Sequence, residues 1–375
     1  MLDLNACRQR QDRFRQRLEE AGLDAALISD ARDIYYLTGV LFETFPALLF
    51  IRTDGGSWLA SHDDGGTDAA VDERLAYEWH MLYTMNPDPM TRLNELVRQR
   101  AEAEADASRL GWQAESQPSM TLETIRAQLG DPDLVKIDGI LEALQKRKDP
   151  DEVALLVKSI QVTLAAYDRA QRAINDGVSE LAVLAEGTAG ALLEAGEVAF
   201  HGGDYACREL GGPARDRTIC TGDLYIIDGQ STYRGYWSDM SRTFVVGGRP
   251  TDLQQSVYDH LAAILNDVPS MVRPGGSASE LWRGLDARIR EHPYMKDTGL
   301  IHHGGHGVGV RPHEAPDLNR DRDGLFEIGD VFSCEPGAYG DDLGFGIRLE
   351  NTFHITEEGV ELLSDYPLNL IPISS

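Results

Sequence analysis

The feature that most constrains this chain is a set of charged residues placed inside otherwise apolar, strand-like runs. Asp228 ends LYIID, Asp239 lies in GYWSDMSRTF, His306 lies in GGHGVGV, Glu335 ends VFSCE, and Glu350 follows GIRL. A charge buried alone is so costly that buried charges are paired or bound to metal. A fold that buries these runs must therefore gather the carboxylates around something positive. Four carboxylates and one imidazole suit a hard or borderline divalent ion, manganese first, with cobalt, zinc or iron as alternatives. Their combined charge is enough for two such ions about 3.5–4 Å apart. Each residue alone says little. An Asp at a strand end is commonly a cap, a Glu before Pro-Gly is commonly solvated, and a His among glycines commonly belongs to a loop. The specificity lies in the ordered set.

With 375 residues the chain exceeds one ordinary domain of roughly 100–200 residues, which predicts two. Phe14, Leu18 and Ala21–Gly22 predict an amphipathic helix ended by a glycine. DAALIS, IYYLTGV and ALLFIRT read as strands, Asp54-Gly55-Gly56 as a turn before SWLAS, and residues 91–106 as a polar helix. This is the pattern of an α/β unit. The run Lys146-Arg147-Lys148-Asp149-Pro150 reads as a boundary, giving domains 1–145 and 146–375. There Asp149 is placed to cap a helix and Pro150 to begin it. Helices are predicted to Asn175–Gly177, over about 179–194, 252–268 and 277–292, with strands between and after them. Helices beside antiparallel-looking strands make an α+β catalytic domain.

Lys and Arg number 35 against 62 Asp and Glu, a net charge of −27. Such a surface repels nucleic acid and anionic membranes, so neither is an expected partner. No apolar run approaches the roughly 20 residues of a bilayer span, and the N-terminus lacks the apolar core of a signal peptide, so a cytoplasmic protein is expected. Cys7, Cys207, Cys220 and Cys334 form no CxxC pair, which fits reduced thiols rather than a zinc ribbon.

The five-part set resembles the metallopeptidase M24 family, which includes methionine aminopeptidase, prolidase and aminopeptidase P. The matching pieces are Asp228, the GY-x-S-D-x-x-R-T-F block with Asp239, the GHG-x-G His306, the E-P-G Glu335 and the R-x-E Glu350. RLEEAGLDAALISDARDIYYLTGV and KRKDPDEVALL resemble the prolidase and aminopeptidase P branch, which carries an extra domain in front. The resemblance implies a pita-bread catalytic domain preceded by a smaller α/β creatinase/prolidase-type domain. It implies that Asp228 chelates one metal, that His306 and Glu335 bind the other, and that Asp239 and Glu350 bridge them. A hydroxide between the ions would attack, with Glu335 as general base. His313 and His302 would contact the substrate, and His313 would stabilise the tetrahedral intermediate. Arg348 would hold Glu335 or Asp239 in place, and Glu314 would orient a histidine. A short proline-containing peptide is the implied substrate and a homodimer the implied assembly.

One position departs from the pattern. The family usually carries a substrate-positioning His 17 residues before the first metal Asp, and here that residue is Gly211. His201 is a candidate to compensate. The departure keeps open a hydrolase of another small amide or peptide, and a non-catalytic binding module is a separate alternative, since some proteins with this fold are binding modules.

Overall fold

Runs of consecutive apolar residues, rather than alternating ones, build the first part of the chain. The computed structural model describes residues 1–41, 46–62, 67–78 and 88–373, and it divides into two units, Met1–Gln145 and Lys146–Ser375. The first holds α1 (Leu4–Glu20), β1 (Ala25–Ile28), α2 (Ala31–Thr38), β2 (Leu48–Arg52), β3 (Ser57–His62), β4 (Glu73–Tyr77), α3 (Pro89–Ala101), β5 (Arg109–Trp112), α4 (Ser119–Leu129), β6 (Asp133–Lys136) and α5 (Asp138–Gln145). Its six strands form one mixed sheet in the order β4-β3-β2-β1-β5-β6. Every residue of β1 is buried, because helices cover both faces of the sheet. Ala26, Ile28, Leu49 and Ile51 pack with Phe14 and Leu18 on one face. Ala25, Leu27, Leu48 and Phe50 pack with Val97 and Ile125 on the other.

One sequence expectation fails here. IYYLTGV is not a strand: residues up to Thr38 form α2. Caps outweigh the aromatic, strand-like composition. Asp30 accepts the Arg32 and Asp33 N–H groups at the start, and Gly39 closes the end in the left-handed region, donating to Tyr35.

The second unit holds α6 (Pro150–Ala173), α7 (Glu180–Ala195), β7 (His201–Cys207), β8 (Leu224–Tyr233), β9 (Tyr236–Val245), α8 (Asp252–Met271), α9 (Ala278–Ile289), β10 (Gly305–Gly307), β11 (Glu314–Leu318), β12 (Val331–Cys334), β13 (Gly337–Gly340), β14 (Phe345–Arg348), β15 (Asn351–Ile355) and β16 (Val360–Leu362). Pro150 begins α6, and the Glu152 carboxylate reaches back to accept the Asp149 N–H at 2.8 Å. Two similar halves follow. In one, α6 and α7 pack Tyr167, Ala170 and Val183 against the antiparallel sheet β7-β8-β9. In the other, α8 and α9 pack Val257, Leu261, Leu281 and Leu285 against the sheet β11-β10-β12-β15-β16. This doubled helix-pair-on-sheet arrangement is the pita-bread fold. Among the described residues no helix is long and apolar enough to cross a membrane.

The halves are tied at their centre. The Glu350 N–H donates to the Ser241 carbonyl at 2.9 Å, and Thr352 Oγ1 donates to the Asp239 carbonyl at 2.9 Å. Arg242, with no exposed surface, donates to the carbonyls of Ser241 and Glu350 and to Asn351 Oδ1. A buried cation thus holds β9 and β15 together, and both strands carry or adjoin candidate ligands.

Candidate metal centre

Strand register brings the carboxylates together. In the β8–β9 hairpin Gln230 opposes Asp239 and Ser241 opposes Asp228, so the two aspartates are diagonal neighbours on one face. In the other half Cys334 opposes Asn351, which sets the next residue out on each strand, Glu335 and Glu350, side by side. His306 stands on β10, next to β12. Gly305 makes that approach possible, because a Cβ there would lie 2.0 Å from the Ser333 carbonyl oxygen.

The donor atoms converge in overlapping groups, each within 4.8 Å: Asp228, Asp239 and Glu350; His306, Glu335 and Glu350; and Asp239, His306 and His313. Glu350 belongs to two of these groups, and so does Asp239. Asp239, His306, Glu335 and Glu350 are 3%, 5%, 5% and 1% exposed. Gln230 donates to Asp239 Oδ2 at 2.7 Å. Asp239 Oδ1 and both Glu350 carboxylate oxygens are buried with no hydrogen-bond partner. Unsatisfied carboxylate oxygens in the interior need a cation, and these residues fit divalent metal. Burial first, and the neighbouring carboxylates second, push Asp239, Glu335 and Glu350 well above the ordinary carboxylate range. Burial lowers His306 to about 3, so its imidazole is neutral and free to ligate.

The cleft over this group has a volume of about 280 Å³ and is lined in part by His303, His306, His313, Arg348 and Asp204. His313 stacks on His306, ring centres 3.8 Å apart, and burial lowers its pKa. The outer residues depart from expectation. His302 does not line the cleft: its Nε2 meets the Tyr339 hydroxyl at 2.9 Å, its Nδ1 faces the His303 carbonyl, and burial lowers it to about 4. The next residue, His303, turns inward, with Nδ1 3.2 Å from Glu335 Oε1. Arg348 does not hold Glu335 or Asp239 by hydrogen bonds. It donates to Asp228 and, at 3.2 Å, to Asp204, while Nε reaches Tyr339 at 3.0 Å and Nη2 the Leu210 carbonyl at 2.8 Å. Glu314 is neither solvated nor bonded to a histidine. It pairs with Lys148 at 2.5 Å, both side chains buried, and accepts the Arg311 N–H at 2.9 Å. His201 cannot stand in for a residue at 211, because it is buried between Ser231 (2.8 Å) and Tyr205 (2.7 Å). Of the four cysteines only Cys220 is exposed, and none is paired.

With the geometry in place, comparison with known proteins is informative. The profile of metallopeptidase family M24 matches residues 154–357. The chain belongs to this family. The creatinase/prolidase N-terminal domain matches residues 10–145, giving the two-domain arrangement of the branch. The family is one of metal-dependent hydrolases. An uncharacterized peptidase of Bacillus subtilis is 26% identical over 96% of this chain and 99% of its own length. An Xaa-Pro dipeptidase of Pyrococcus furiosus is 27% identical over 92% of this chain and 95% of its own. The solved structure of an Xaa-Pro dipeptidase from Bacillus anthracis superposes with a TM-score of 0.80 at 23% identity, covering 97% and 99% of the two chains, a likeness of fold.

Sequence reasoning missed Asp204, Gln230, His303 and Tyr339. For His303 a signal existed in the doubled HH of HHGGH. Asp204 carried none, since only the β7–β8 register places it opposite Asp228.

Proposed function

We propose that the protein is a two-metal peptidase that cuts Xaa-Pro bonds of short peptides. The observation that carries this reading is the pair of three-residue ligand groups sharing Glu350, whose own oxygens have no donor at ordinary hydrogen-bond distance. In this reading Asp228, Asp239, His306, Glu335 and Glu350 would hold the two ions. Divalent ions held there would supply an activated water and would polarise the scissile carbonyl. Glu335 Oε1 receives the proton of the attacking water, and His303 Nδ1, 3.2 Å away, orients that oxygen. His313, stacked on His306 at the cleft wall, donates to the oxygen that gains charge. Arg348 and Tyr339 keep Asp228 in place from behind. Oxygen-rich ligation favours manganese as the working ion. A cytoplasmic homodimer is part of the same proposal, and sedimentation reads the oligomer.

The substrate class is supported by the Xaa-Pro dipeptidase of Pyrococcus furiosus aligning over 92% of the chain. Proline lacks an amide hydrogen and fixes its own φ, so a dedicated site is needed for it. The test is hydrolysis of Ala-Pro, Ala-Pro-Ala, Ala-Ala and a longer peptide by manganese-loaded protein, with products identified by mass. Cleavage of Ala-Pro alone assigns a dipeptidase, and release of alanine from Ala-Pro-Ala assigns an aminopeptidase. Binding of two ions with no cleavage of any peptide would overturn the reading and leave a non-peptide amide as the substrate.

A further inference from the structure

One acidic side chain in the cleft belongs to none of the ligand groups. Asp204 lines the cleft beside Asp228 and Arg348, yet it takes no part in the groups of converging donor atoms. Its carboxylate accepts the Gly212 N–H and an Arg348 N–H, but these contacts come with a repulsion. In the β7–β8 pair Asp204 lies directly opposite Asp228, and like charges directly opposite on paired strands destabilise a sheet. Arg348 Nη1 contacts both carboxylates, so one guanidinium answers two negative charges. With Asp228 serving a metal, as in the proposed function, the Asp204 charge would be only partly balanced. Its side chain is 29% exposed, open to whatever enters the cleft.

A second observation concerns Gly211. A Cβ at that position would lie 1.9 Å from Asp204 Oδ2. The Asp204 carboxylate therefore occupies the space into which any side chain at 211 would project, and glycine is what admits it. Where an imidazole would stand if 211 were a histidine, the cleft presents a fixed carboxylate.

We infer that Asp204 is a specificity residue that selects substrates carrying a cationic group, an ammonium, close to the scissile bond. The ammonium is either the free α-amine of the peptide or a basic side chain, and both offer the same donor chemistry to the carboxylate. Anionic groups are disfavoured at the same place. The inference rests on the two-metal peptidase reading, both for the identity of the substrate and for the charge left on Asp204.

Three peptides separate the sources: Ala-Pro-Ala has only the α-ammonium, acetyl-Ala-Pro-Ala has neither cation, and acetyl-Lys-Pro-Ala has only the side-chain ammonium. For a peptide that is turned over, kcat/KM is compared. For one that is not, the dissociation constant by calorimetry is compared. Manganese-loaded wild type is expected to prefer at least one cationic peptide over acetyl-Ala-Pro-Ala by about tenfold or more. Asp204→Asn is expected to remove most of that preference, read as the ratio of cationic to neutral peptide within the variant, and Asp204→Glu to retain part of it. Gly211→Ala tests the same point without altering charge, because its Cβ must displace the carboxylate, and the preference should fall again. It also decides the matter if Asp204→Asn does not fold. Equal handling of cationic and neutral peptides by wild type, or a preference that survives both Asp204→Asn and Gly211→Ala, would overturn the inference. Asp204-dependent selective binding with no hydrolysis would instead overturn the peptidase reading alone.

Discussion

Two glutamates of the catalytic unit are almost equally hidden from water and are treated in opposite ways. Glu180, the first residue of α7, is 0% exposed and Glu350 is 1% exposed. The oxygens of Glu180 accept from the Cys207 N–H at 2.9 Å, the Arg215 N–H at 3.0 Å, and the Arg215 guanidinium at 3.1 and 3.2 Å. The oxygens of Glu350 have no donor at ordinary hydrogen-bond distance, with only the Ser333 hydroxyl nearby. The corner at Glu180 uses a charge to lock α7 onto the segment after β7, and every lone pair has work in the fold. The floor of the cleft withholds donors, although Arg242 is close enough to give its hydrogen bonds to the Glu350 main-chain carbonyl. Burial alone therefore does not mark a functional carboxylate. Burial without donors inside a cluster of like charges does, because only a ligand from outside can then meet the charge.

The largest test of this contrast is Glu350→Gln. Hydrolysis should fall by more than about 10³-fold, beyond the loss of a single transition-state donor, and bound metal should drop below that of the wild type. The metal-free variant should melt no lower than the metal-free wild type, since a repelling buried carboxylate has gone. Undiminished metal content would break the contrast. Next in size is His313→Ala, which should lower kcat by about 10²–10³-fold while both ions remain bound; an unchanged kcat would remove His313 from the reaction. Glu180→Gln sharpens the comparison from the other side. It should cost about 2 kcal/mol through weakened charge-assisted hydrogen bonds, lowering the melting temperature by about 4–8 °C, with metal content intact. Loss of metal in that variant would mean the two regions are not independent.

The smallest effect is in pH. Asp239, Glu335 and Glu350 are raised in the fold by burial and mutual repulsion. Above the ordinary carboxylate range the native state therefore holds protons that the unfolded chain has released. Stability of the metal-free protein from these groups must fall as pH rises through that window. Metal binding needs the deprotonated carboxylates and strengthens in the same direction. The gap in melting temperature between manganese-loaded and metal-free protein should widen by a few degrees from pH 5 to pH 8. A gap that narrows would place the raised groups elsewhere.

The contrast also explains what could be read from the chain and what could not. The five candidate ligands were legible as a set because each interrupts an apolar run with a charge, at spacings tied to one family. Helix α6 was legible from Asp149, Pro150 and Glu152. Helix α2 was not, because its aromatic and β-branched residues outweighed Asp30 and Gly39, whose capping geometry only the backbone reveals. His302 and His303 are neighbours in sequence, and the turn of the backbone decides which one faces Glu335. Arg348 was expected beside Glu335 or Asp239 and instead donates to Asp228, since the side chain reaches toward β8. Glu180 and Asp204 carry no mark in the sequence, and Glu314, expected to orient a histidine, pairs with Lys148 instead. Nothing local distinguishes them, because their partners lie 27 to 35 residues away for Glu180, 144 for Asp204 and 166 for Glu314.

The buried pair of Lys148 and Glu314 bears on where this protein can be cut and recombined. Lys146 holds the Leu325 carbonyl at 2.6 Å and Glu327 at 2.8 Å, the Lys148 N–H donates to the Gly329 carbonyl at 2.9 Å, and the Lys148 ammonium meets Glu314 beside His313. The three basic residues before α6 resemble an interdomain tether in sequence, yet they are riveted to the enzyme half. A chimera that swaps the front domain should splice ahead of residue 146. A graft made at Pro150, where the helix visibly begins, would carry away the strap behind His313.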